Sequence, residues 1–476
     1  MNVRVNLLAI FVLSICSNYA LAQFDTVINL PENPDSPNPS GFSGNSIGGS
    51  SGISSNTQLN VSDGGSIASS FDAGDASSTN VEVNISGGTV GSSFDAFGSS
   101  TVNISGGTVG SNFNAFFSTV DISGGTVGSD FFALGSTVNI SGGTVGSNFQ
   151  AFSGSTVNIS GGTFGSSFDA RSGSTVNISG GEFLLNGSTI NDITSPFTLG
   201  DGDVFTGTLE DGSSFIFSTV NSDSLTGVNL IETSTPIVST TPQIIDTASA
   251  LRSARAGETL TVQLGGALGD NFTAVGATLN VESGSVGSGA EVANSEVNIS
   301  GGTVGNNFGA FDGTVNISGG EVGISFGANS GSEVNISGGE VGSFFDAFDG
   351  STVNISGGEV GPGFDAESGS TVNISGGTVG FDFAANSGST VNISGGTVGF
   401  SFAANSGSTV NISGGIFGVD FEAESGSTVN IFATDFFLND TSIDTLTVGE
   451  TITIFDRGED VVLSGVFADG TLFDLT

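Results

Sequence analysis

The chain contains no histidine, no lysine and no tryptophan, and its 476 residues include only one cysteine, one methionine and one tyrosine. Without histidine, it cannot form a Ser-His-Asp triad, a histidine general base or a histidine-containing metal site. All basic residues are arginines, namely Arg4, Arg171, Arg252, Arg255 and Arg457. Because phosphate binding depends on clustered cations, this composition argues against nucleic acid as a partner.

Acidic residues outnumber basic ones by 47 to 5, which gives a formal net charge of −42 at pH 7. A surface of this kind repels anionic membranes and attracts cations. Because salt screens the repulsion between its own charges, it also suits a salt-rich extracellular medium.

The N-terminus has the pattern of a secretory signal peptide. Arg4 provides a positive charge, residues 7–15 are apolar, and an Ala-Leu-Ala sequence ending at Ala22 is a small-residue cleavage site. Cys16 would suit a lipoprotein, but the residue before it is bulkier than such signals normally have. We predict that 1–22 is a signal peptide, which leaves a secreted mature chain without cysteine. No later apolar run is long enough to span a membrane.

One unit repeats almost unchanged through most of the chain. It reads Ser-Thr-Val-Asn-Ile-Ser-Gly-Gly-Thr-Val-Gly, followed by a polar stretch and Phe-x-Ala, and successive copies are 18 or 19 residues apart. Its central position is Asn84, Asn103, Asp121, Asn139, Asn158 and Asn177 in a first block, then Asn298, Asn316, Asn335, Asn354, Asn373, Asn392, Asn411 and Asn430 in a second. A fixed period of this length is typical of a solenoid, in which each copy forms one coil that packs against its neighbours.

Apolar and polar residues alternate within each copy. Val102 and Ile104 share one face, and the Gly-Gly pair after them should turn the chain into a second short strand at Val109. A further turn leads to a third strand, from which Phe113 and Ala115 point inward. We therefore predict an all-β fold, a three-sided parallel β-helix (β-solenoid) with 18–19-residue coils, about seven in the first stack and ten in the second, spaced at about 4.8 Å.

Each repeat block is followed by a segment of a different kind. Both segments end in an Asp-Gly pair flanked by alternating apolar residues, which is typical of a β-hairpin. We predict two tandem stacks, each followed by a β cap that covers open strand edges. The predicted parts are a first β-solenoid over 23–181, a β cap and linker over 182–245, a second β-solenoid over 246–434 and a C-terminal β cap over 435–476.

Two connecting segments have features of their own. Residues 225–247 are rich in Thr, Ser and Pro, which indicates a linker, and 246–256 are compatible with one short helix. Four prolines between residues 31 and 39 indicate an irregular first cap or a linker.

The outward Thr-x-Asn column is a first candidate for a function. We favour a structural role, because stacked Asn amides and Thr hydroxyls can form hydrogen bonds along the axis. Flat Thr-x-Asn ranks also resemble those of ice-binding solenoids. Glu296 and Glu333, however, interrupt the Thr rank, which makes ice binding the less favoured alternative.

A second candidate is an acidic column. Glu321, Glu340 and Glu359 occupy the same position in successive copies, so their carboxylates should lie about one strand spacing apart. Because stacked like charges repel unless a cation lies between them, these residues are weak candidates for binding Ca²⁺ or Mg²⁺. A solvated column with splayed side chains is the alternative. Asp346 and Asp365 form a similar pair, and we expect no other cofactor.

Catalysis is not expected. A glycosidase with paired carboxylates is chemically possible, but it needs one coil that departs from the repeat and forms a cleft. Neither regular block contains such an isolated acidic cluster. We predict that the protein is not an enzyme.

The Val-Asn-Ile-Ser-Gly-Gly-Thr-Val-Gly copies resemble those of secreted repeat proteins of marine bacteria such as planctomycetes. More loosely, they resemble the passenger domains of autotransporter adhesins. The resemblance covers about 59–181 and 260–431. It implies a surface-exposed or released bacterial β-solenoid, and it specifies architecture better than activity.

We expect a secreted, non-enzymatic β-solenoid with a structural or adhesive role at the cell surface or in the extracellular matrix of a bacterium. Long flat faces that repeat one side-chain pattern suit multivalent weak contacts. The alternative is a Ca²⁺-dependent or glycan-binding module, and ice binding or fibre formation is less favoured. Divalent cations, surface glycans and other matrix proteins are the expected partners.

Overall fold

In the computed structural model of the chain, the described residues are 24–33, 37–39, 42, 44–48, 51–219, 222–233, 241–249, 251–443, 462–467 and 470–475. Their 50 secondary-structure elements are all β-strands, arranged in five sheets. The predicted all-β parallel solenoid is therefore confirmed. The predicted signal peptide, 1–22, lies outside the described residues.

The first stack consists of sheets 1 and 2. Sheet 1 contains Thr26–Leu30, Ser46–Ile47, Thr57–Val61, Ser66–Ile67, Val81–Val90, Thr101–Val109, Thr119–Val127, Thr137–Val145, Thr156–Phe164, Thr175–Leu185, Ser188–Thr189, Val204–Leu209, Ser214–Ser218 and Asn229–Glu232. Sheet 2 contains Ser51–Ile53, Phe71–Ala73, Phe94–Phe97, Asn114–Phe116, Phe132–Leu134, Gln150–Ala151, Asp169–Ala170 and Ser224–Leu225.

The second stack consists of sheets 3 and 4, and sheet 5 follows it. Sheet 3 contains Gln243–Ile245, Thr259–Val262, Ala267–Leu268, Thr278–Val281, Ser285–Val286, Glu296–Val304, Thr314–Val322, Glu333–Val341, Thr352–Val360, Thr371–Ile374, Thr378–Val379, Thr390–Val398, Thr409–Phe417 and Thr428–Ile431. Sheet 4 contains Ser253–Ala254, Thr273–Val275, Glu291–Ala293, Gly309–Phe311, Gly327–Ala328, Asp346–Ala347, Asp365–Ala366, Ala384–Ala385, Phe402–Ala404 and Phe421–Ala423. Sheet 5 contains Ala433–Leu438, Thr441–Ser442, Leu463–Phe467 and Leu472–Leu475.

The Gly-Gly pair bends a strand instead of ending it. In Thr101–Val109 the strand continues through Gly106 and Gly107, and its pairing with the previous coil shifts register there. Gly107 has a φ of +70°, and a Cβ on Gly106 would lie 2.4 Å from the Ser86 carbonyl oxygen. The coil has the three predicted ladders of strand segments, but the first two belong to one sheet because the glycine bend keeps their pairing continuous.

Identical apolar side chains from successive coils stack to form the core. In the second stack, the rings of Phe326, Phe345, Phe364, Phe383 and Phe402 stack with centroids 4.7–4.9 Å apart and with nearly parallel planes. The Val and Ile residues of the Val-x-Ile pairs are almost entirely buried, except for Val429 and Ile431 in the last coil, which are partly buried. The ring separation equals the strand spacing, so ring packing and backbone pairing favour the same coil geometry.

Both predicted connecting segments contain coil strands. Asn229–Glu232, within the predicted linker 225–247, pairs in parallel with 177–180, so the chain returns to the first stack after its cap. The short helix predicted for 246–256 does not form, because Ser253–Ala254 pairs in parallel with the next coil of sheet 4. Alternation of buried and exposed residues at the coil period outweighed the local composition. With these coils, nine parallel strands follow one another in sheet 1 and eleven in sheet 3.

The described ends of the first stack are covered. At its start, the Asn38 side chain mimics a peptide group, because it accepts the Asn29 N–H at 2.7 Å and donates to the Asn29 carbonyl at 2.8 Å. At its end, an antiparallel hairpin turns at Gly212, as the Asp-Gly pair predicted. Phe467 and Phe473 of sheet 5 join the core of the second stack.

We expect Phe364→Ala to lower the free energy of unfolding by about 3–5 kcal/mol, because it removes a fully buried ring from the middle of the stack. Urea denaturation followed by circular dichroism measures the change. Phe381→Ala is the matched control in the neighbouring coil, where the ring is 50% exposed, and it should change stability by about 0.5 kcal/mol or less. Equal effects of the two substitutions would contradict the stacked core.

Candidate functional site

The hairpin that caps the first stack also joins it to the second. Its strands, Val204–Leu209 and Ser214–Ser218, are buried along their whole length. Phe205, Leu209, Phe215 and Phe217 pack against the core of the first stack. The other side chains meet the outer surface of sheet 4, in a cluster of Val204, Ile216, Val275, Ala293 and Phe311. One hairpin is therefore both an end cap and an interface.

Polar contacts flank this apolar cluster. The Ser214 hydroxyl donates to the Ala254 carbonyl at 3.1 Å, and the Ser214 N–H donates to the Ser253 hydroxyl at 3.1 Å. Arg252 donates a hydrogen bond to the Thr144 hydroxyl of the first stack. The first coils of the second stack are thus held against the last coils of the first.

Two carboxyl groups lie at the contact between the stacks. Asp223 is buried and accepts the backbone N–H groups of Phe168 and Ser218, both at 2.7 Å. Burial raises the pKa of Asp223 to about 7, although these hydrogen bonds act in the opposite direction. Burial, and then the Asp223 charge, raises the pKa of Glu291 well above its ordinary value. The folding of this part of the chain is therefore coupled to proton binding.

A cleft of about 570 Å³ lies between the two stacks. Its wall is mostly polar, with many serine hydroxyls and asparagine amides. It is lined by Ser129, Gly146, Ser147, Ser166, Ser167, Ser222, Asp270, Asn271, Ser288, Gly289, Glu291, Asn307, Phe308, Gly309, Ser325, Gly327, Asn329, Asp346 and Phe348. Most of these residues belong to the turn before the buried Phe, so the cleft follows the same corner of both solenoids.

The floor of the cleft is one outward column of sheet 4. Glu291, Gly309, Gly327 and Asp346 are in register on adjacent strands, so two glycines lie between two carboxyl groups. Burial raises the pKa of Asp346 to about 6, with smaller contributions from the charges of Asp365 and Glu367. Neighbouring side chains cover the two glycines, since a Cβ on Gly309 would lie 3.2 Å from the Phe311 ring and one on Gly327 would lie 3.0 Å from Asn329 Nδ2.

The Thr-x-Asn column is held together along the axis. In the second stack each Asn Nδ2 donates to the Oδ1 of the preceding coil, at 2.8–3.1 Å, from Asn298 to Asn430. The first stack has the same ladder with Asp121 in it, which accepts from Asn139 at 2.6 Å but has no N–H to continue the series. These bonds support the structural role predicted for the column.

The acidic column lies where the repeat predicted. Glu321 pairs in register with Glu340, and Glu340 pairs with Glu359, on the exposed side of sheet 3. No group of three or more Asp, Glu, His or Cys side chains in the described part of the chain is arranged to hold a metal ion. Binding of Ca²⁺ by this column therefore remains a prediction.

The cleft was not predicted from the sequence, although two local patterns accompany it. Phe215-Ile216-Phe217 is an unbroken apolar run, which is typical of a strand buried on both faces. Gly309 and Gly327 stand between Phe and Ala, where most coils carry a larger residue. The first signal indicates a second packing partner for the hairpin, and the second indicates close packing by the side chains two residues further on, Phe311 and Asn329.

No protein-family model and no curated protein matches the chain. Among solved structures, it is similar to the chain in the crystal structure of a TibC-catalysed, hyper-glycosylated TibA55–350 fragment, with 15% sequence identity and a TM-score of 0.21. The match covers 86% of this chain and 96% of that chain.

Among the described residues, no helix is long and apolar enough to cross a membrane.

We expect the chain to become more stable to heat as the pH falls from 8 to 5. A raised pKa means that the folded chain binds protons at Asp223 and Glu291 in a range where the unfolded chain does not. Thermal melts at the two pH values measure the difference. Asp223→Asn should reduce this difference, whatever its effect on the melting temperature itself.

Asp75→Asn is the control for this experiment. Asp75 is exposed, and hydrogen bonds from Ser77 and Ser78 lower its pKa, so it titrates below the tested range. This substitution should leave the difference between pH 5 and pH 8 unchanged. If Asp223→Asn also leaves it unchanged, the proton coupling is not at the contact between the stacks.

We expect Glu340→Gln to raise the free energy of unfolding in the presence of chelator, by about 0.2–1 kcal/mol, because it removes two like-charge contacts. Glu333→Gln is the matched control, since Glu333 is exposed and lies between Thr314 and Thr352. Melts with millimolar Ca²⁺ complete the test. If Ca²⁺ raises the melting temperature of the unmodified chain but not that of Glu340→Gln, the column is a cation site instead.

Proposed function

We propose that the protein is a secreted, non-enzymatic scaffold with an adhesive or structural role at a bacterial surface or in extracellular matrix. The observation that carries this proposal is that the core and backbone features are the same in most coils, whereas one exposed position at a corner of the coil varies. Core rings, Asn ladders and glycine bends recur from coil to coil. The residue that follows the Val-Gly pair, by contrast, changes along the chain.

In the first stack this corner position holds serines, such as Ser129, Ser147 and Ser166. In the distal coils of the second stack it holds Ile324, Ser343, Pro362, Phe381, Phe400 and Val419, of which all but Ser343 are apolar. Phe381 and Phe400 are 50% and 58% exposed. Exposed apolar side chains repeated at one coil spacing favour many weak contacts with an extended surface, whose strengths combine.

A Ca²⁺-dependent module is the second candidate. It is supported by the register of the Glu321, Glu340 and Glu359 carboxylates on adjacent strands. In that case adhesion would require millimolar Ca²⁺ and would be lost after Glu340→Gln.

Retention of protein-coated beads under flow tests the adhesive role. The beads pass over surfaces that carry an alkane monolayer, a neutral polysaccharide or a protein layer. We expect retention on at least one surface well above that of albumin-coated beads. The double substitution Phe381→Ser and Phe400→Ser, which introduces the serine of the first stack, should reduce retention several-fold.

Phe432→Ser is the matched control, because Phe432 is 56% exposed but lies outside this corner. Retention no greater than that of albumin on all three surfaces would overturn the adhesive role. If Phe432→Ser and the double substitution reduce bead retention equally, the corner position is not the adhesive surface.

A further inference from the structure

We propose that the outer face of sheet 2 binds the same face of a second copy of the chain, which gives a two-fold symmetric dimer. The two first stacks would pack side by side with their coil directions reversed. This surface belongs to the first stack, whereas the adhesive role rests on corner residues of the second, so the two proposals are independent.

Four large apolar side chains point outward from adjacent coils of sheet 2. Each comes directly after the buried alanine of its coil, so together they form one apolar column, Phe97, Phe116, Leu134 and Phe152. All four are half-buried, and none of the core clusters of the described residues includes them. Phe117 beside them is 66% exposed. A contiguous apolar surface on the outside of a fold is typical of an interface.

The same column of the second stack shows when this position is apolar. Where the first hairpin covers it, the column consists of Val275, Ala293 and Phe311, and Phe311 is fully buried. Phe348, further along, lines the cleft towards the first stack. Beyond the cleft the column is polar and consists of Glu367, Asn386, Asn405 and Glu424. We infer that four consecutive apolar residues in the first stack also have a covering partner.

The packing of the rings favours a protein surface over a sugar. Phe97 and Phe116 stack with centroids 5.2 Å apart. Phe132, in the neighbouring outward column, packs on Phe116 at 5.6 Å and on Phe152 at 4.2 Å, and the guanidinium of Arg171 lies 4.3 Å from the Phe152 centroid. Because the rings mostly contact one another, few ring faces are free for stacking on a sugar. Their edges are available to apolar side chains of a partner.

Charged residues lie at opposite ends of the apolar column. Arg171 follows Phe152, and its side chain is 46% exposed. It bonds to Asp169 through Nε and to Gln150 through Nη2, and a guanidinium has further N–H groups for a carboxylate of a partner.

The other end of the column is acidic. Asp72 and Asp95 are in register on adjacent strands. Burial, and then the charge of Asp95, raises the pKa of Asp72. A cation from a partner would relieve the repulsion between these carboxylates.

These features make the face complementary to itself. Five strand spacings, about 24 Å, separate the strand of Asp72 from that of Arg171, and the centre lies between Phe116 and Leu134. A two-fold axis through this centre, parallel to the strands, places Phe116 against Leu134 of the second copy. It also places Arg171 against Asp72 of the second copy. Each contact then occurs twice, as in any two-fold interface.

The C-terminal hairpin of another copy is a less suitable partner. Asp474 has the position that Ile216 has in the first hairpin, since each follows the Phe that pairs with the central glycine. Ile216 packs near Val275, on the second strand of sheet 4. An equivalent contact would bring Asp474 to Asp72, on the second strand of sheet 2, where the two carboxylates repel.

Sedimentation equilibrium of the purified chain, from micromolar to submillimolar concentration, tests the proposal. Salt at about 0.15 M screens most of the repulsion between two chains of net charge −42, while charges in contact still interact. We expect a monomer–dimer equilibrium with a dissociation constant in the micromolar range, because the face is small for a stable interface.

The double substitution Phe116→Asn and Leu134→Asn should weaken the dimer about tenfold or more, because it places amides at the centre of the interface. Asn386 has the same column position in the second stack, so the coil accepts this residue, and circular dichroism checks the fold. Phe381→Asn and Phe400→Asn together are the matched control, since these exposed rings lie outside sheet 2. The control should not change the dissociation constant.

Asp72→Arg and Arg171→Glu test the reversed orientation. Each substitution alone places like charges together at both ends of the interface and should weaken the dimer about tenfold. An equimolar mixture of the two variants should form a heterodimer about as stable as the unmodified dimer, because opposite charges then meet at both ends.

A monomer at every concentration would overturn the proposal, as would a dimer that persists after Phe116→Asn and Leu134→Asn. Equal weakening by the Phe381 and Phe400 control would indicate general apolar association. A mixture that does not recover would exclude the reversed orientation. A neutral oligosaccharide that binds the unmodified chain but not the Phe116 and Leu134 variant would assign this face to glycans. Bead retention should be unchanged in that variant, so failure of the dimer and failure of the adhesive role are distinguishable.

Discussion

The distance between paired parallel strands is the constraint on which the structure depends. Each side chain of one coil has its equivalent about 4.8 Å away in the next. Phenyl rings fit this distance, as the 4.8 Å separation of Phe345 and Phe364 shows. Amides also fit it, because the Nδ2 of one asparagine reaches the Oδ1 of the next. Carboxylates at this distance repel one another, and the repeat places few of them in columns.

This constraint explains why the repeat identified the fold. Core residues stack on the equivalent residues of the next coil, so the same residue types recur in the sequence at the coil period. The core of Val, Ile, Phe and Ala was therefore predictable from the sequence. The coils with divergent sequences were harder to recognise. Asn229 keeps the asparagine of the repeat and donates to Asn177 Oδ1, but the residues around it diverge, and a composition rich in Thr, Ser and Pro concealed this coil.

The cleft could not be predicted in the same way, because it depends on how two distant parts of the chain meet. The pairs Ser214 with Ala254 and Asp223 with Glu291 join residues that share no repeat position. Their partners are determined by packing of the hairpin on sheet 4. The glycines at 309 and 327 are visible in the sequence, but the Phe311 and Asn329 side chains that leave no room for a Cβ there are positioned by the fold.

The hairpin has a consequence for cooperativity. A solenoid normally unfolds stepwise from its ends, since each coil contacts only its neighbours. Here the last coils of the first stack and the first coils of the second lose apolar partners together if Val204–Leu209 and Ser214–Ser218 detach. The two stacks are therefore energetically linked at one end each, whereas their remote ends are free to fray independently. The centre of the chain, and not its termini, should be the last part to open.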